Sequence, residues 1–279
     1  MYRTTAPVSR SGAPATTLGL AGVVRAVGVP DGRLDDDFSL RHFTDLTAGH
    51  DVALRPDLLT SGTTFTALTR ALHERLEPLA GPVDVAIVAH ATPDLDCRLA
   101  AATYLSEALP GNPLCFSVSD VGVCAPFAAI RLARDYAARH GFRRALVVIA
   151  DQATLPYDVA HRPAGDAGVA LLLEAGATPL ALVHRAGVPE RDLPAALASV
   201  LADLVPDGGP RSVVVGAGVD PDVVLSSGIA AGGAVRSARA GYPCTALWDG
   251  LAESADRVLL VEHDPATGDL GVASVGGTP

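Results

Sequence analysis

One cysteine stands where a buried helix is predicted to begin. Residues 117 to 151 read SVSDVGVCAPFAAIRLARDYAARHGFRRALVVIAD, so Cys124 precedes an amphipathic run and then an apolar, strand-like run. A thiol at the first turn of a helix lies at the positive end of the helix dipole, which lowers its pKa and favours the nucleophilic thiolate. The backbone N–H there can also stabilise an oxyanion. Two interpretations stay open for Cys124: a nucleophile, or a small apolar residue of the core.

The rest of the composition excludes several kinds of chemistry. The chain has four cysteines, and no pair has a Cys-x-x-Cys spacing, so no metal site is predicted. All 21 basic residues are arginine, which rules out a lysine Schiff base, a pyridoxal-phosphate lysine and a Walker-A lysine. We therefore predict no cofactor.

Charge and hydropathy indicate a folded, soluble chain. Hydrophobic residues make up 49% of the 279 residues, and the net charge is −10, which argues against a nucleic-acid partner. No apolar run approaches the roughly 18 residues of a membrane span. Residues 1 to 16 have no apolar signal segment. We expect a cytoplasmic protein without a membrane partner, and a flexible tail over residues 1–17.

Strand-like and helical patterns alternate along the chain. Continuous apolar runs, typical of strands buried on both faces, cover 83–90, 145–151, 168–174, 211–218, 257–264 and 271–275. Amphipathic helical patterns cover 63–80, 98–109, 124–140 and 192–205. This alternation predicts an α/β fold with mostly parallel sheets.

A weak internal repeat suggests that the chain is duplicated. GDAGVA at 165–170 returns as GDLGVA at 268–273, and each copy follows a similar strand, ALVVIAD or RVLLVEHD. The segment around Cys124, VCAPFAAIRLA, has a counterpart in PCTALWDGLA around Cys244. Two duplicated βαβ-type halves are the simplest account. We place the first at 18–176 and the second at 177–279.

Four motifs in the order VAHATPD, VCAPF, ALVVIAD and GDAGVA resemble the thiolase superfamily, and most closely its ketoacyl-ACP synthase III branch. The resemblance covers about residues 18 to 276. It implies a layered α-β-α-β-α core, and it puts Cys124 at the position of the acyl-accepting cysteine. It also implies acyl-CoA or an acyl carrier protein as a partner, and a dimer, formed either with a second copy or with a homologous ketosynthase.

The chain departs from this family at the residues that assist the cysteine. When the chain is aligned with the family by these motifs, Gly216 stands where the family has its catalytic histidine, and Tyr242 stands where it has its catalytic asparagine. Cys244 stands at a position usually held by serine or glycine. We expect these three residues to line the substrate-binding pocket. Losing one oxyanion donor typically costs roughly 100- to 1,000-fold in rate, so decarboxylative condensation should be very slow.

Two histidines are candidates for a replacement base. His263 falls in the loop that closes over the cysteine in the family, where a histidine would serve as a general base; a surface position is the alternative. His90 ends the strand over 83–90 and is the second candidate, although a histidine hydrogen-bonded to the backbone at a strand end is the simpler interpretation.

Arginines also cluster around the helix that follows Cys124. They would suit an acidic carrier protein or coenzyme A phosphates, or they are a solvated helix end. They are Arg131, Arg134, Arg139, Arg143 and Arg144.

Three functional hypotheses follow from these observations. The first is acyl transfer from acyl-CoA or acyl-ACP through a Cys124 thioester, in specialised polyketide or fatty-acid-like metabolism. The second is a non-catalytic partner subunit of a heterodimeric ketosynthase. It draws on the shortness of the chain, because some short relatives are the inactive half of a heterodimer. The third is a condensing enzyme in which His263 or His90 replaces the missing base.

Overall fold

The fold was analysed in a computed structural model of the chain. It describes residues 17–28, 36–50, 52–58, 62–76, 78–159, 162–204, 212–227, 234–253 and 257–276. The predicted flexible tail over 1–17 therefore lies, except for Thr17, outside the described residues.

Ten described strands form two sheets. They are β1 (Leu18–Val27), β2 (Val85–His90), β3 (Leu114–Val118), β4 (Arg144–Asp151), β5 (Ala167–Ala175), β6 (Leu180–Arg185), β7 (Ser212–Val215), β8 (Ala234–Ser237), β9 (Val258–Asp264) and β10 (Asp269–Val275). The first sheet has the order β1-β5-β4-β2-β3, and the second has the order β6-β10-β9-β7-β8.

The two sheets share one topology, which confirms the predicted duplication. Each strand of the first sheet has a counterpart five strands later in the second, with β4 corresponding to β9 and β2 to β7. In both sheets the three strands at one side pair in parallel, and the other two pairings are antiparallel, so that only β5 and β10 run opposite to the rest of their sheets.

The described helices are α1 (Asp37–Gly49), α2 (Phe65–Leu76), α3 (Ala101–Ala108), α4 (Ala125–His140), α5 (Leu193–Leu204), α6 (Pro221–Ser226) and α7 (Ala246–Asp249). Short 3₁₀ turns lie at Pro56–Leu58, Gly122–Cys124, Glu190–Asp192 and Gly250–Glu253.

The helices pack in three layers around the sheets. Helices α2 and α3 cover the outer face of the first sheet, while α5 and α6 cover the outer face of the second. Helices α4 and α7 share one buried cluster with the inner faces of both sheets. The predicted α-β-α-β-α layering is therefore confirmed.

The sequence of α4 suits a helix between two sheets. Pro126 occupies its first turn, where no N–H is needed for an intrahelical bond, and Gly141 ends it in the left-handed region at φ 71°. Alanines repeat every four residues along one face and are all 0% exposed, so both sheets can approach closely. They are Ala125, Ala129, Ala133 and Ala137.

Gly271 of β10 lets α4 approach the second sheet. A Cβ at Gly271 would lie 2.4 Å from Cγ of Phe127, a buried ring that already packs on Trp248 at 5.0 Å between centroids. We expect Gly271→Ala to lower the free energy of unfolding by about 1–3 kcal/mol through overpacking. Urea denaturation measures this change.

Gly22→Ala in β1 is the matched control. A Cβ there would meet its nearest atom, Cβ of Leu172, at 3.9 Å, which is ordinary contact. The control should stay within about 0.5 kcal/mol of the wild type or be slightly more stable. Equal effects of the two substitutions would contradict this description of the central layer.

Candidate active site

Cys124 lies directly before α4, between the two sheets. It is 0% exposed. Its Sγ lies 3.2 Å from the backbone oxygen of Asp269 and 3.8 Å from that of Glu262, so both neighbouring strands of the second sheet contact the thiol. The predicted position at a helix start is confirmed, but the side chain is enclosed by β9 and β10.

The backbone donors around Cys124 are already engaged. Its own N–H donates to the carbonyl oxygen of Val121 at 3.1 Å, within the 3₁₀ turn. The N–H of Val123 donates to a carboxylate oxygen of Asp264 at 3.0 Å. The oxyanion donor expected at Cys124 is therefore used inside the protein.

Three buried carboxylates surround the thiol. Glu262, Asp264 and Asp269 are 1%, 5% and 4% exposed. Burial, followed by the charges of these three groups, raises the pKa of the Cys124 thiol far above its usual value. The expectation of a lowered pKa was wrong, because desolvation and acidic neighbours outweigh the helix dipole.

Asp269 pairs with a buried histidine. Its Oδ1 lies 2.8 Å from Nε2 of His184, and both side chains are nearly inaccessible. Burial lowers the pKa of His184, so the imidazole is neutral at pH 7.

The carboxyl group of Asp264 lies at the start of α4. Its Oδ2 accepts from Val123, while its Oδ1 accepts from the N–H groups of Ala266 and Thr267. A Cβ at Gly122 would lie 1.7 Å from this carboxylate, so only glycine fits there. An acidic group at a helix N-terminus is electrostatically favoured.

Asp151 makes the same arrangement in the other half. It ends β4, the counterpart of β9, and its carboxylate accepts from the N–H groups of Cys244 at 3.1 Å and Thr245 at 2.9 Å, just before α7. Thr245 Oγ1 also donates to it at 2.7 Å. Each central helix is therefore capped by a buried carboxylate from the end of a strand.

Cys244 is a core residue of the capped turn before α7. It is 1% exposed, and burial and the neighbouring Asp151 hold its pKa well above the usual value. It belongs to the central apolar cluster together with Trp248. Cys244 is not among the described residues that line the pocket defined below, so its expected pocket position was wrong.

Glu262 occupies the space beside Gly216. A Cβ at Gly216 would lie 1.6 Å from Glu262 Oε2, so a histidine at that position could not coexist with this carboxylate. The N–H groups of Ala217, Gly218 and His263 donate to Glu262 at 3.0–3.2 Å. Burial nevertheless raises its pKa to about 8.

Gly216 and Tyr242 both line one pocket of about 490 Å³. This Tyr242 pocket lies beyond the carboxyl ends of β7 and β8, and its lining includes Arg162, Arg239 and Glu262. The guanidinium of Arg239 lies over the Tyr242 ring at 4.4 Å from the centroid. Cys124 is not among the described residues that line the pocket.

His263 does not reach Cys124. Side chains alternate along β9, so Glu262 and Asp264 face the central layer, while His263 faces the outer one. Its Nε2 lies 2.8 Å from the carbonyl oxygen of Val188. The hypothesis of a base at His263 was therefore wrong, since one step in register puts it across the sheet.

His90 also faces an outer layer. Its Nδ1 lies 2.7 Å from the carbonyl oxygen of Thr92, and its ring contacts Phe65 of α2 at 5.0 Å between centroids. Burial lowers its pKa. The simpler interpretation, a backbone-bonded histidine at a strand end, is the one the geometry supports.

Sequence reasoning missed the acidic residues Glu262, Asp264 and Asp269. A signal was present, because Glu262 and Asp264 interrupt an apolar strand two residues apart and must share a face.

Within the described residues, no group of three or more His, Cys, Asp or Glu could hold a metal ion. None of the described helices is long and apolar enough to cross a membrane.

Comparison with solved structures identifies the fold as that of ketoacyl-synthase-III-like enzymes. A 3-oxoacyl-(acyl-carrier protein) synthase from Burkholderia xenovorans LB400 aligns with a TM-score of 0.64 and 18% identity, over 94% of this chain and 95% of that chain. AbyA1, a tetronic acid condensing enzyme, aligns with a TM-score of 0.65 and 17% identity, over 94% of this chain and 100% of that chain. OleA from Xanthomonas campestris aligns with a TM-score of 0.60 and 14% identity, over 94% of this chain and 98% of that chain.

No protein-family model and no curated protein matches the chain. The resemblance inferred from the sequence motifs is thus confirmed at the level of the fold.

Glu262 should make stability fall as the pH rises. The ordinary pKa of glutamate is about 4.3, and in the folded chain that of Glu262 is about 8. The folded protein therefore holds an extra proton between these values and loses stability across them, by at most about 1.4 kcal/mol per pH unit. Glu262→Gln should remove this slope, as measured by urea unfolding from pH 6 to 8.

Asp94→Asn serves as the control for this measurement. Burial raises the pKa of Asp94 to about 6, so its own stability loss is complete near the bottom of the window. This variant should keep most of the wild-type slope between pH 6 and 8. Identical slopes in the wild type and Glu262→Gln would contradict the assignment.

Proposed function

We propose that the chain is a non-catalytic partner subunit, which pairs with a homologous ketoacyl-synthase-III-like condensing enzyme of specialised polyketide or fatty-acid-like metabolism. The observation that carries this proposal is the enclosure of the Cys124 thiol among three buried acidic side chains, those of Glu262, Asp264 and Asp269.

The buried surroundings of Cys124 oppose both steps of covalent acyl transfer. Attack on a thioester needs a thiolate, and the surroundings of Cys124 disfavour that charge. The tetrahedral intermediate then carries an oxyanion, which needs free N–H donors. Here the Cys124 N–H donates to the carbonyl oxygen of Val121, and the Val123 N–H donates to the carboxyl group of Asp264.

The edge of the first sheet supports the partner role. Strand β3 is the edge strand, and among the described strands it pairs only with β2. Leu114 at its start is 44% exposed. Beside it four rings pack together at 5.4–6.3 Å between centroids. They are Phe116, Tyr136, His140 and Phe142. An open, partly apolar strand edge favours pairing with another chain.

The Tyr242 pocket suits a carried thioester. Arg162 and Arg239 border it, and guanidinium groups recognise the phosphates that coenzyme A and a carrier's pantetheine arm share. Arg162 is itself fixed, since it donates to the carbonyl oxygens of Ala153 and Leu155 at 3.0 and 3.1 Å and to that of Tyr157. In this proposal the pocket contributes a binding wall next to the partner's active site.

A second candidate function is acyl transfer through Cys124 itself. It is favoured by one observation, the position of this thiol at the first turn of α4. It requires the carboxylate of Asp264 to leave that turn when an acyl donor binds.

Incubation with acetyl-, malonyl- and octanoyl-CoA should leave the intact mass of the chain unchanged. The reason is that Cys124 is enclosed and held as a neutral thiol. Cys124→Ala runs alongside. A mass increase equal to the acyl group on the wild type, absent from Cys124→Ala, would favour the second candidate function.

The partner role has its own test. The tagged chain, expressed in its native host, should co-purify in a 1:1 complex with a ketosynthase homologue that carries its own Cys, His and Asn. Leu114→Glu should abolish the complex, because a charge on the edge of β3 opposes pairing. Leu225→Glu is the control, because this side chain is 48% exposed on α6, away from β3, and its substitution should leave the complex intact. A homodimer of the tagged chain that excludes any homologue would contradict the proposal.

A further inference from the structure

A second cavity lies at the other end of the sheets from Cys124. It measures about 520 Å³ and is formed by the start of β1, the turn between β5 and β6, the end of β10 and one side chain of α4. Asp264 and Asp269 pair at one end of β9 and β10, and Val258 and Val275 pair at the other. These ends are about 20 Å apart at 3.3 Å per residue, so this Arg134 cavity is separate from the Tyr242 pocket.

Arg134 is the unusual residue of this cavity. It is partly buried on α4, and burial lowers its pKa. Within the described part of the chain its guanidinium has no hydrogen-bond or ion-pair partner; the nearest charge acting on it is that of Asp135. An arginine does not lose its proton in a protein, so this partly buried guanidinium presents a positive charge to the cavity that a bound anion could pair with.

The rest of the wall is apolar and cationic. Leu18 and Leu180 are 0% and 4% exposed, and Pro179 and Ala181 continue the apolar surface. Arg257 is the second cation of the lining, and its Nε donates to the carbonyl oxygen of Gly276 at 3.4 Å. No carboxylate is found among the described lining residues.

We propose that the Arg134 cavity binds an amphiphilic monoanion, an unbranched apolar chain that ends in a carboxylate. The guanidinium of Arg134 would receive the carboxylate in a bidentate pair, and Leu18, Pro179 and Leu180 would cover the chain. The volume falls within the roughly 300–1,000 Å³ of small-molecule sites. Binding is non-covalent, and the inference does not depend on the proposed partner role.

Isothermal titration with decanoate tests this inference. We expect one molecule to bind per chain, and Arg134→Gln to weaken binding by at least about tenfold through loss of a charge-assisted pair. Arg139→Gln, at an exposed arginine of the same helix, should bind as the wild type does. Tyr242→Ala should also be without effect, which separates this cavity from the Tyr242 pocket.

The ligand itself can be varied in the same experiment. Each methylene added from hexanoate to decanoate should tighten binding by up to about fourfold. Decanol, which has the chain without the charge, should bind at least about tenfold more weakly than decanoate. Equal affinity for decanol and decanoate would overturn the proposed role of Arg134.

Loss of folding cannot imitate the expected result. Removing an unpaired, partly buried charge should leave the melting temperature of Arg134→Gln unchanged or raise it. The inference is overturned if decanoate does not bind to the wild type. It is equally overturned if Arg134→Gln binds decanoate as the wild type does, or if Tyr242→Ala abolishes binding.

Discussion

Each of the two central helices begins against a buried carboxylate from the end of a strand. Asp264 at the end of β9 accepts from the turn before α4, and Asp151 at the end of β4 accepts from the turn before α7. A helix start has unpaired N–H groups that must find acceptors when they are buried. The two carboxyl groups accept from N–H groups of the turns that lead into these helices, and so tie the two sheets to the shared central layer. An isolated carboxylate would be too costly there, so the caps and the helix starts depend on each other.

The same capping decides what chemistry the centre can perform. Backbone N–H groups that are free at the start of a helix could stabilise an acyl oxyanion. In this chain Asp264 and Val121 take up those donors, and Glu262 fills the space beside Gly216. In the proposed function, the enclosed Cys124 is a small apolar residue of the core.

Sequence patterns predicted the inner strands of both sheets but not the edge strands. The six predicted strands are β2, β4, β5, β7, β9 and β10, which all lie inside a sheet, whereas β1, β3, β6 and β8 are edge strands. Inner strands are buried on both faces and give continuous apolar runs, while edge strands mix exposed and buried positions. At the site, the position of Cys124 followed from the start of an amphipathic helix. The side of the sheet on which His263 lies could not be predicted, because a shift of one residue along a strand moves a side chain to the opposite face.

The protonation of Cys124 tests the central claim most directly. A variant with Cys97→Ser, Cys115→Ala and Cys244→Ala leaves one thiol, and its thiolate absorbance near 240 nm can be followed against pH while circular dichroism reports folding. The account predicts no thiolate in the folded protein up to pH 9, above the ordinary thiol pKa of about 8.5. Half-titration at or below pH 8 in the folded protein would contradict it and would make Cys124 a nucleophile.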